Sequence, residues 1–413
     1  LNSSSDVEAA LVGAYAQLGS NYVYGGNSQV DQELLGNANT LNWAGTYQEM
    51  TQIYNKAIPV NNTFIASTWN ETYRVINTAN NVLASIDKVE EVRRDEVEGE
   101  AKFIRALAYY NLITVFAKSY NDGSPSSNPG VPIVLDPTRE INEESQVPRA
   151  SVEEVYGQII ADLIDAKAKC NDNTDAFFAT TYSASAMLAR VYLQKGDYPN
   201  ALAEADNVIQ NGGFELTDTY AASFPGDGNA PASRSNTKEE IFSIQVTETS
   251  GVNDFNTYFS TSGRGDIDIN QSFYDEFDAT DERGQFFYDV SGFLFTYKFE
   301  SLYSNITVLR LAEMYLIRAE SNFRLGTAVG ATPVEDINEI RDRSGAPTVS
   351  TVSLDDIIKE RRHELAFEGF AINDAKRLEM NVGALPWTSP KLIYPIPQRE
   401  MFVNKNLVQN EGY

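Results

Sequence analysis

Apolar residues recur at steps of three and four over long stretches of this chain, the spacing of a helix that buries one face. Residues 5–19, SDVEAALVGAYAQLG, set a serine and an aspartate ahead of an apolar stripe, which predicts a helix start. Trp69, Tyr73, Ile76, Ala79, Asn80 and Leu83 keep the rhythm and assign Trp69 to the buried face of a second helix. Residues 95–119 predict a third, closed by the turn-rich NDGSPSSNPGVP, and VEEVYGQIIADLIDAKAK predicts a fourth. The next stretch, SAMLARVYLQKGDYPNALAEADNVI, has the pattern of a tetratricopeptide repeat, a helical hairpin of about 34 residues. Leu188, Ala189, Tyr192 and Gly196 fall on its first helix and turn, and Ala201 and Ala205 let the second helix pack closely. A partial copy follows in LIRAESNFRLG, where Ala319, Phe323 and Gly326 repeat the spacing of Ala189, Leu193 and Gly196. Such hairpins cannot bury their apolar faces alone and must stack. The expected fold is therefore mainly α, tetratricopeptide-like hairpins with long irregular loops and a few short strands.

Two segments break the rhythm. Residues 20–68 lie between the first two predicted helices and residues 213–304 between the two repeat copies, both rich in Gly, Asn, Ser, Asp and aromatic residues. In the second, only EEIFSIQVTE alternates as a strand does. Long irregular stretches in a helical protein are usually functional or disordered, and the aromatic content here argues for function. Composition narrows what that function can be. Asp and Glu total 58 against 32 Lys and Arg, a net charge of −26, which repels phosphate backbones and excludes nucleic acid as a partner. The lone cysteine, Cys170, allows no internal disulfide and reads as a small apolar residue at a helix end. No stretch reaches the roughly 18 to 20 apolar residues of a membrane span. The chain starts at Leu1 with no signal-like segment, as expected of a mature sequence whose export signal has been removed.

The single histidine, His363, precedes a glutamate in ERRHELAFEGF, residues 360–370. A zinc-protease helix needs a second histidine four residues on, and that position holds Phe367. With Cys170 the only other soft ligand, no zinc site is expected. Glu360, Glu364 and Glu368 lie four apart on one helical face, where like charges destabilise unless cations meet them. Arg310, Arg318, Arg341 and Arg343 are the expected partners in a structural ion-pair seam; the alternative is three carboxylates around a divalent metal.

Followed by INDAKRLE and by the ending YPIPQREMFVNKNLVQNEGY, the same stretch closely resembles the C-terminal signature of the SusD/RagB family. EGEAKFIRALAYYNLITVFAKSY, SASAMLARVYLQKGDYPNALAEADNVI and EEIFSIQ are similar to the family's other recurring blocks, in the same order. The resemblance implies one domain over residues 1–413, with its hairpins (5–212 and 305–380) stacked into a right-handed superhelical scaffold. Residues 20–68 and 213–304 would be the irregular ligand-binding segments and 381–413 a C-terminal wrap, where Pro395 and Pro397 oppose helix formation. It further implies a lipoprotein on the outer face of the bacterial outer membrane that captures glycan for a SusC-like TonB-dependent transporter. The lipid-bearing cysteine of family precursors does not stand at the start of this sequence, so the anchor rests on the resemblance alone.

The family binds glycan on a shallow surface lined by aromatic rings. A pyranose offers an apolar face that stacks on a ring and hydroxyls that need planar polar partners. In NYVYGGN, residues 21–27, Tyr22 and Tyr24 would face one side of an extended chain, with Gly25 and Gly26 turning the backbone and Asn27 beside them. Trp43, in LNWAGTY, is the best single stacking candidate. In NTYFSTSGRGDID, residues 256–268, Tyr258 and Phe259 supply rings while Arg264 and Asp266 read hydroxyls; the Arg-Gly-Asp tripeptide is put down to chance. The expected function is non-catalytic glycan capture. Its rivals are peptide capture of the RagB kind and a glycoside hydrolase, whose chemistry needs only two carboxylates. No acid pair stands out, so no catalytic residue is assigned, and no cofactor is expected beyond the calcium ion that acidic loops could hold.

Overall fold

Several helices in this chain begin where a hydroxyl caps the first turn. In the computed structural model, which describes residues 1–140, 142–225, 236–247, 249 and 253–413, α1 (Ser4–Leu18) starts at Ser3. The Ser3 hydroxyl accepts from the Asp6 amide and the Asp6 carboxylate accepts from the Ser3 amide, a reciprocal cap. After α2 (Asn27–Gly36), α3 (Gln48–Tyr54), α4 (Thr63–Leu83) and α5 (Glu91–Phe116), the same cap opens α6 (Val152–Lys169) at Ser151 and α7 (Thr181–Lys195) at Thr180. α7 ends on Gly196 in the left-handed region (φ 75°), and α8 (Tyr198–Asn211) folds back against it, closing the predicted hairpin. Short α9 (Asp254–Phe259), α10 (Gln271–Tyr274) and α11 (Glu282–Gln285) precede α12 (Leu311–Leu325), which also ends on a left-handed glycine, Gly326. α13 (Pro333–Arg343), α14 (Leu354–Glu364), α15 (Ala371–Arg377) and α16 (Gln398–Val403) complete the helices.

The fold is mainly α, as expected. α12 packs against α8, so the two repeat copies stack, and Ala189, Ala201, Ala205 and Ala319 are all fully buried at these close approaches. The copies differ at one position: Leu193 is buried whereas its counterpart Phe323 points to solvent. α5 forms the axis of the core, buried on every side from Phe103 to Phe116, with Trp69 edge-on to Phe116 at 4.9 Å. A smaller cluster under α12, α13 and α14 is built on Leu316, Ile337, Ile340 and Ile357.

The irregular segments hold more regular structure than their sequence shows. α2 and α3 lie within 20–68, together with β1 (Leu41–Trp43). Residues 213–304 carry β2 (Glu240–Ile244), β3 (Ile267–Ile269), β4 (Phe287–Val290) and β5 (Phe293–Thr296). β2 is the predicted strand, whose last residue, Glu248, lies outside the described residues. It pairs antiparallel with β6 (Ile306–Arg310), and the other strands form an antiparallel sheet in the order β1, β3, β5, β4. The final segment lies against the end of α5: Tyr394 N–H donates to Val115 O at 2.8 Å and Asn410 Nδ2 to Phe116 O at 2.8 Å. It is not free of helix, because Pro397 occupies the position before the first turn of α16, where its missing N–H is no cost.

The Glu360, Glu364 and Glu368 stripe forms an ion-pair seam. Glu364, wholly buried, is met by Arg310, Arg343 and Arg283; Glu360 by Arg283 and Arg341; Glu368 by Arg310 and Lys298. Burial pushes the Glu364 carboxyl up, but Arg343, Arg310 and Arg283 outweigh this and hold it below the usual carboxylate range. Arg318 is a correction. It faces the other way, bonded to Asp336 at 2.6 Å and Asp206 at 2.7 Å, while Arg283 and Lys298 take the places the sequence did not assign. His363 sits at the edge of the seam, with Nε2 3.1 Å from Glu276 Oε2 and its ring 4.2 Å from that of Phe277.

Candidate functional site

The pairing of β1 with β3 joins the two irregular segments into one surface. Trp43 lies opposite Ile267, Ala44 N–H donates to Asp266 O at 2.8 Å, and Asn42 Nδ2 donates to Asp268 Oδ1 at 2.8 Å. The 21–27 stretch joins from below. Asp254 N–H donates to Gly25 O at 3.1 Å, and a Cβ on Gly26 would stand 2.8 Å from the Phe255 nitrogen, so only glycine fits against the start of α9. Residues more than two hundred positions apart thereby line one face.

On that face the rings form a chain. Tyr22 is 5.2 Å from Phe64, Phe64 is 5.7 Å from Tyr47, Tyr47 is 6.3 Å from Tyr258, and Tyr258 is 6.2 Å from Trp43. Tyr47, 39% exposed, carries the Arg264 guanidinium 4.5 Å from its centroid. Arg264 is held by Asp266 at 2.5 Å and by the Thr46 hydroxyl at 3.0 Å. Trp43 is half-buried and oriented by its Nε1–H, which donates to Thr51 Oγ1 at 2.8 Å. Past the 261–265 turn the surface continues into the β4–β5 hairpin, where Phe293 and Tyr297 are exposed and Tyr288 bonds Thr261.

Of the residues predicted from sequence, Trp43, Tyr22, Arg264 and Asp266 come together here with part of their surface open, Asp266 least. Four others are corrected by burial. Tyr24 points inward, its hydroxyl donating to Leu107 O at 3.2 Å, because residues 19–25 coil through tight turns and send Tyr22 and Tyr24 to different sides. Phe259 is fully buried, packed between Phe299 and Phe367. Tyr258 and Asn27 form the floor: the Tyr258 hydroxyl donates to Asn27 Oδ1 at 2.7 Å, and Asn27 Nδ2 donates to Asp31 at 2.9 Å. Tyr47 and Phe64 were missed. Tyr47 closes the LNWAGTY stretch already singled out, whereas Phe64 sits in the first turn of α4 and reads as part of its apolar stripe.

The floor is acidic. Burial pushes the Asp254 carboxyl up to about 6, and burial together with Asp254 raises Asp31 further, one of whose oxygens has no hydrogen-bond partner. Burial, and then Asp31, Asp254, Glu71 and Glu49, push the Tyr22 hydroxyl up to about 12. Among the described residues no group of three or more His, Cys, Asp and Glu is placed to hold a metal ion. Chemically this is a row of apolar faces with a fixed Arg and Asp pair beside them, suited to stacking and hydroxyl bonding.

A family model described as starch-binding and associating with the outer membrane matches residues 1–193, and the SusD family model matches residues 296–386. The chain belongs to the SusD/RagB family. SusD-like protein P2 of Formosa agariphila is 25% identical over 99% of this chain and 93% of its own length. Two solved SusD-family structures share the fold. A SusD-like carbohydrate-binding protein of Bacteroides vulgatus superposes with a TM-score of 0.84 at 22% identity, over 98% of both chains. A laminarin-binding SusD-like protein superposes with a TM-score of 0.80 at 24% identity, over 100% of both. SusD-family proteins are glycan-binding and associated with the outer membrane.

Proposed function

We propose that this chain is a non-catalytic glycan-capturing protein of the outer face of the outer membrane, lipid-anchored, which passes oligosaccharide or polysaccharide to a SusC-like TonB-dependent transporter. The observation that carries the reading is the run Tyr22, Phe64, Tyr47, Trp43 on one open face with Arg264 and Asp266 beside it. Successive rings offer successive sugar faces a place to stack, and the Arg264 and Asp266 pair presents donors and an acceptor to the hydroxyls between them. The carboxylates gathered around Tyr22 favour a neutral glycan over a uronate or sulfate polymer. Trp43, Tyr22, Tyr47, Phe64, Arg264 and Asp266 are the proposed binding residues, Tyr258 and Asn27 support them from beneath, and no cofactor is assigned.

Affinity electrophoresis of the wild type and of Trp43→Ala against a panel of neutral and acidic polysaccharides, laminarin included, tests this. Retardation by a neutral polymer, weakened about fivefold in Trp43→Ala, is the expected result, since one stacking contact is worth about 1 kcal/mol. Retardation by no polymer, with retention of peptides instead, would favour capture of the RagB kind. Release of reducing sugar by the purified protein would make it a hydrolase.

A further inference from the structure

Away from the aromatic face, the stacked helices enclose an open groove of about 910 Å³, walled by α7, α14, α15 and the end of α2. This is at the upper end of the roughly 300 to 1,000 Å³ typical of ligand sites. It shares no residue with the surface described above. Its charge is the reverse of the chain's. Six lysines and arginines line it against four carboxylates, in a protein whose acids outnumber its bases 58 to 32.

Two of those four carboxylates are already engaged. Glu33 Oε1 accepts the backbone N–H groups of Gly369, Phe370 and Ala371, and Asp374 holds Arg361 at 2.9 Å and Arg377 at 2.7 Å. Each of these guanidiniums still keeps one nitrogen without a partner, Nη1 of Arg361 and Nη2 of Arg377, although both side chains are only 4% exposed. A buried donor left unpaired is costly and is normally met by a protein or ligand acceptor. At the rim, Lys195 and Lys359 pair with no carboxylate among the described residues, Lys195 lying 4.8 Å over the Tyr120 ring. The wall also carries an aliphatic stretch of Leu354, Ile358, Leu378 and the half-exposed Met380, beside the polar Asn121, Gln194 and Asn381. Of the three aromatic rings in the wall, Phe370 is taken by Arg190 and Arg361 at 4.9 and 5.0 Å, Tyr198 by Arg324 at 4.8 Å, and Phe367 is buried against Phe259 and Phe273. Sugar stacking therefore has no free ring here.

We propose that this groove is a second binding site, for a short acidic peptide segment bearing aliphatic side chains. Its carboxylates would meet Lys195, Lys359 and the two unpaired guanidinium nitrogens, and its aliphatic side chains would lie on Leu354, Ile358 and Met380. The chain's overall charge of −26 works against any acidic peptide, so affinity for one has to come from this local reversal.

The test is fluorescence anisotropy with a short labelled peptide of Glu, Leu and Ser residues, set against a Lys, Leu and Ser peptide of the same length. The probes are titrated with the wild type, with Lys195→Glu/Lys359→Glu and with Ile358→Ser, after circular dichroism shows each variant folded. Saturable binding of the acidic peptide alone is expected, weakened roughly tenfold or more in the double variant and unchanged in Trp43→Ala. Equal or tighter binding of the basic peptide, absence of saturable binding, or an undiminished affinity in both groove variants would overturn the proposal. Because Trp43→Ala reads only the aromatic face, failure of either site leaves the other measurable.

Discussion

Asp254 shows how a single residue can place a load on the floor of the aromatic face. It is buried, and among the described residues its one side-chain bond is from the Thr257 hydroxyl at 2.9 Å. Burial pushes its carboxyl up to about 6, against about 3.9 for an unfolded aspartate. The folded chain thus keeps this proton longer than the unfolded chain does. Its contribution is fully present below about pH 4 and is lost as pH rises through about 6, so at neutral pH the residue destabilises. Asp254→Asn keeps an acceptor for Thr257 without the charge. It should raise the unfolding free energy by about 1 to 3 kcal/mol near pH 7.5 and leave it unchanged near pH 4, measured by urea denaturation at both values. A variant no more stable at the higher pH would mean that the carboxylate is charged there and compensated. At this scale the sequence was legible only in part. Trp43, Arg264 and Asp266 stand in stretches without periodicity, which made them visible. Tyr22 and Tyr24 could not be told apart, because the alternation assumed an extended chain where residues 19–25 coil, with Val23 and Gly25 N–H bonded to Ser20 O and Tyr24 N–H to Leu18 O.

The long helices were legible because their apolar residues are spaced to face one core. α2 was hidden for the opposite reason. It is buried all round, and its polar side chains serve neighbouring elements: Glu33 caps the 369–371 backbone and Gln32 bonds Asn373. No amphipathic stripe remains to be read. The seam of Glu360, Glu364 and Glu368 falls between these cases, since its acids were evident and two of its five cations, Arg283 and Lys298, came from elements with no pattern of their own. It ties α14 to α11, α13 and the β2–β6 ribbon through Arg283, Arg343, Arg310 and Glu239. Glu364→Gln would leave three buried guanidiniums short of a countercharge. The expected loss is about 3 to 5 kcal/mol, read as a lower thermal midpoint, with polysaccharide retardation unchanged while the chain remains folded. Unaltered thermal stability with retardation abolished would instead make the acidic stripe part of a ligand site.

At the scale of the whole molecule, charge decides which polymers can approach. A protein of net charge −26, with Glu49, Glu71 and Asp254 near the aromatic run, presents a negative field to anything arriving at that face. A neutral glycan does not feel it, and its many equivalent sugars compensate for weak individual contacts by avidity. A polymer bearing uronates or sulfates is repelled before its rings can stack. Salt separates the two cases, because the screening length falls from about 10 Å at 0.1 M to about 3 Å at 1 M. Retardation by a neutral polysaccharide should be the same across that range. Any retardation by an acidic polysaccharide on the aromatic face should be weak at low salt and increase as salt rises. The acidic peptide in the groove should behave in the reverse sense, since there the local field is attractive and screening weakens it. An acidic polymer held most tightly at low salt would place that ligand on the cationic groove and not on the rings, and a neutral polymer whose retardation collapses with salt would count against stacking as the source of its binding.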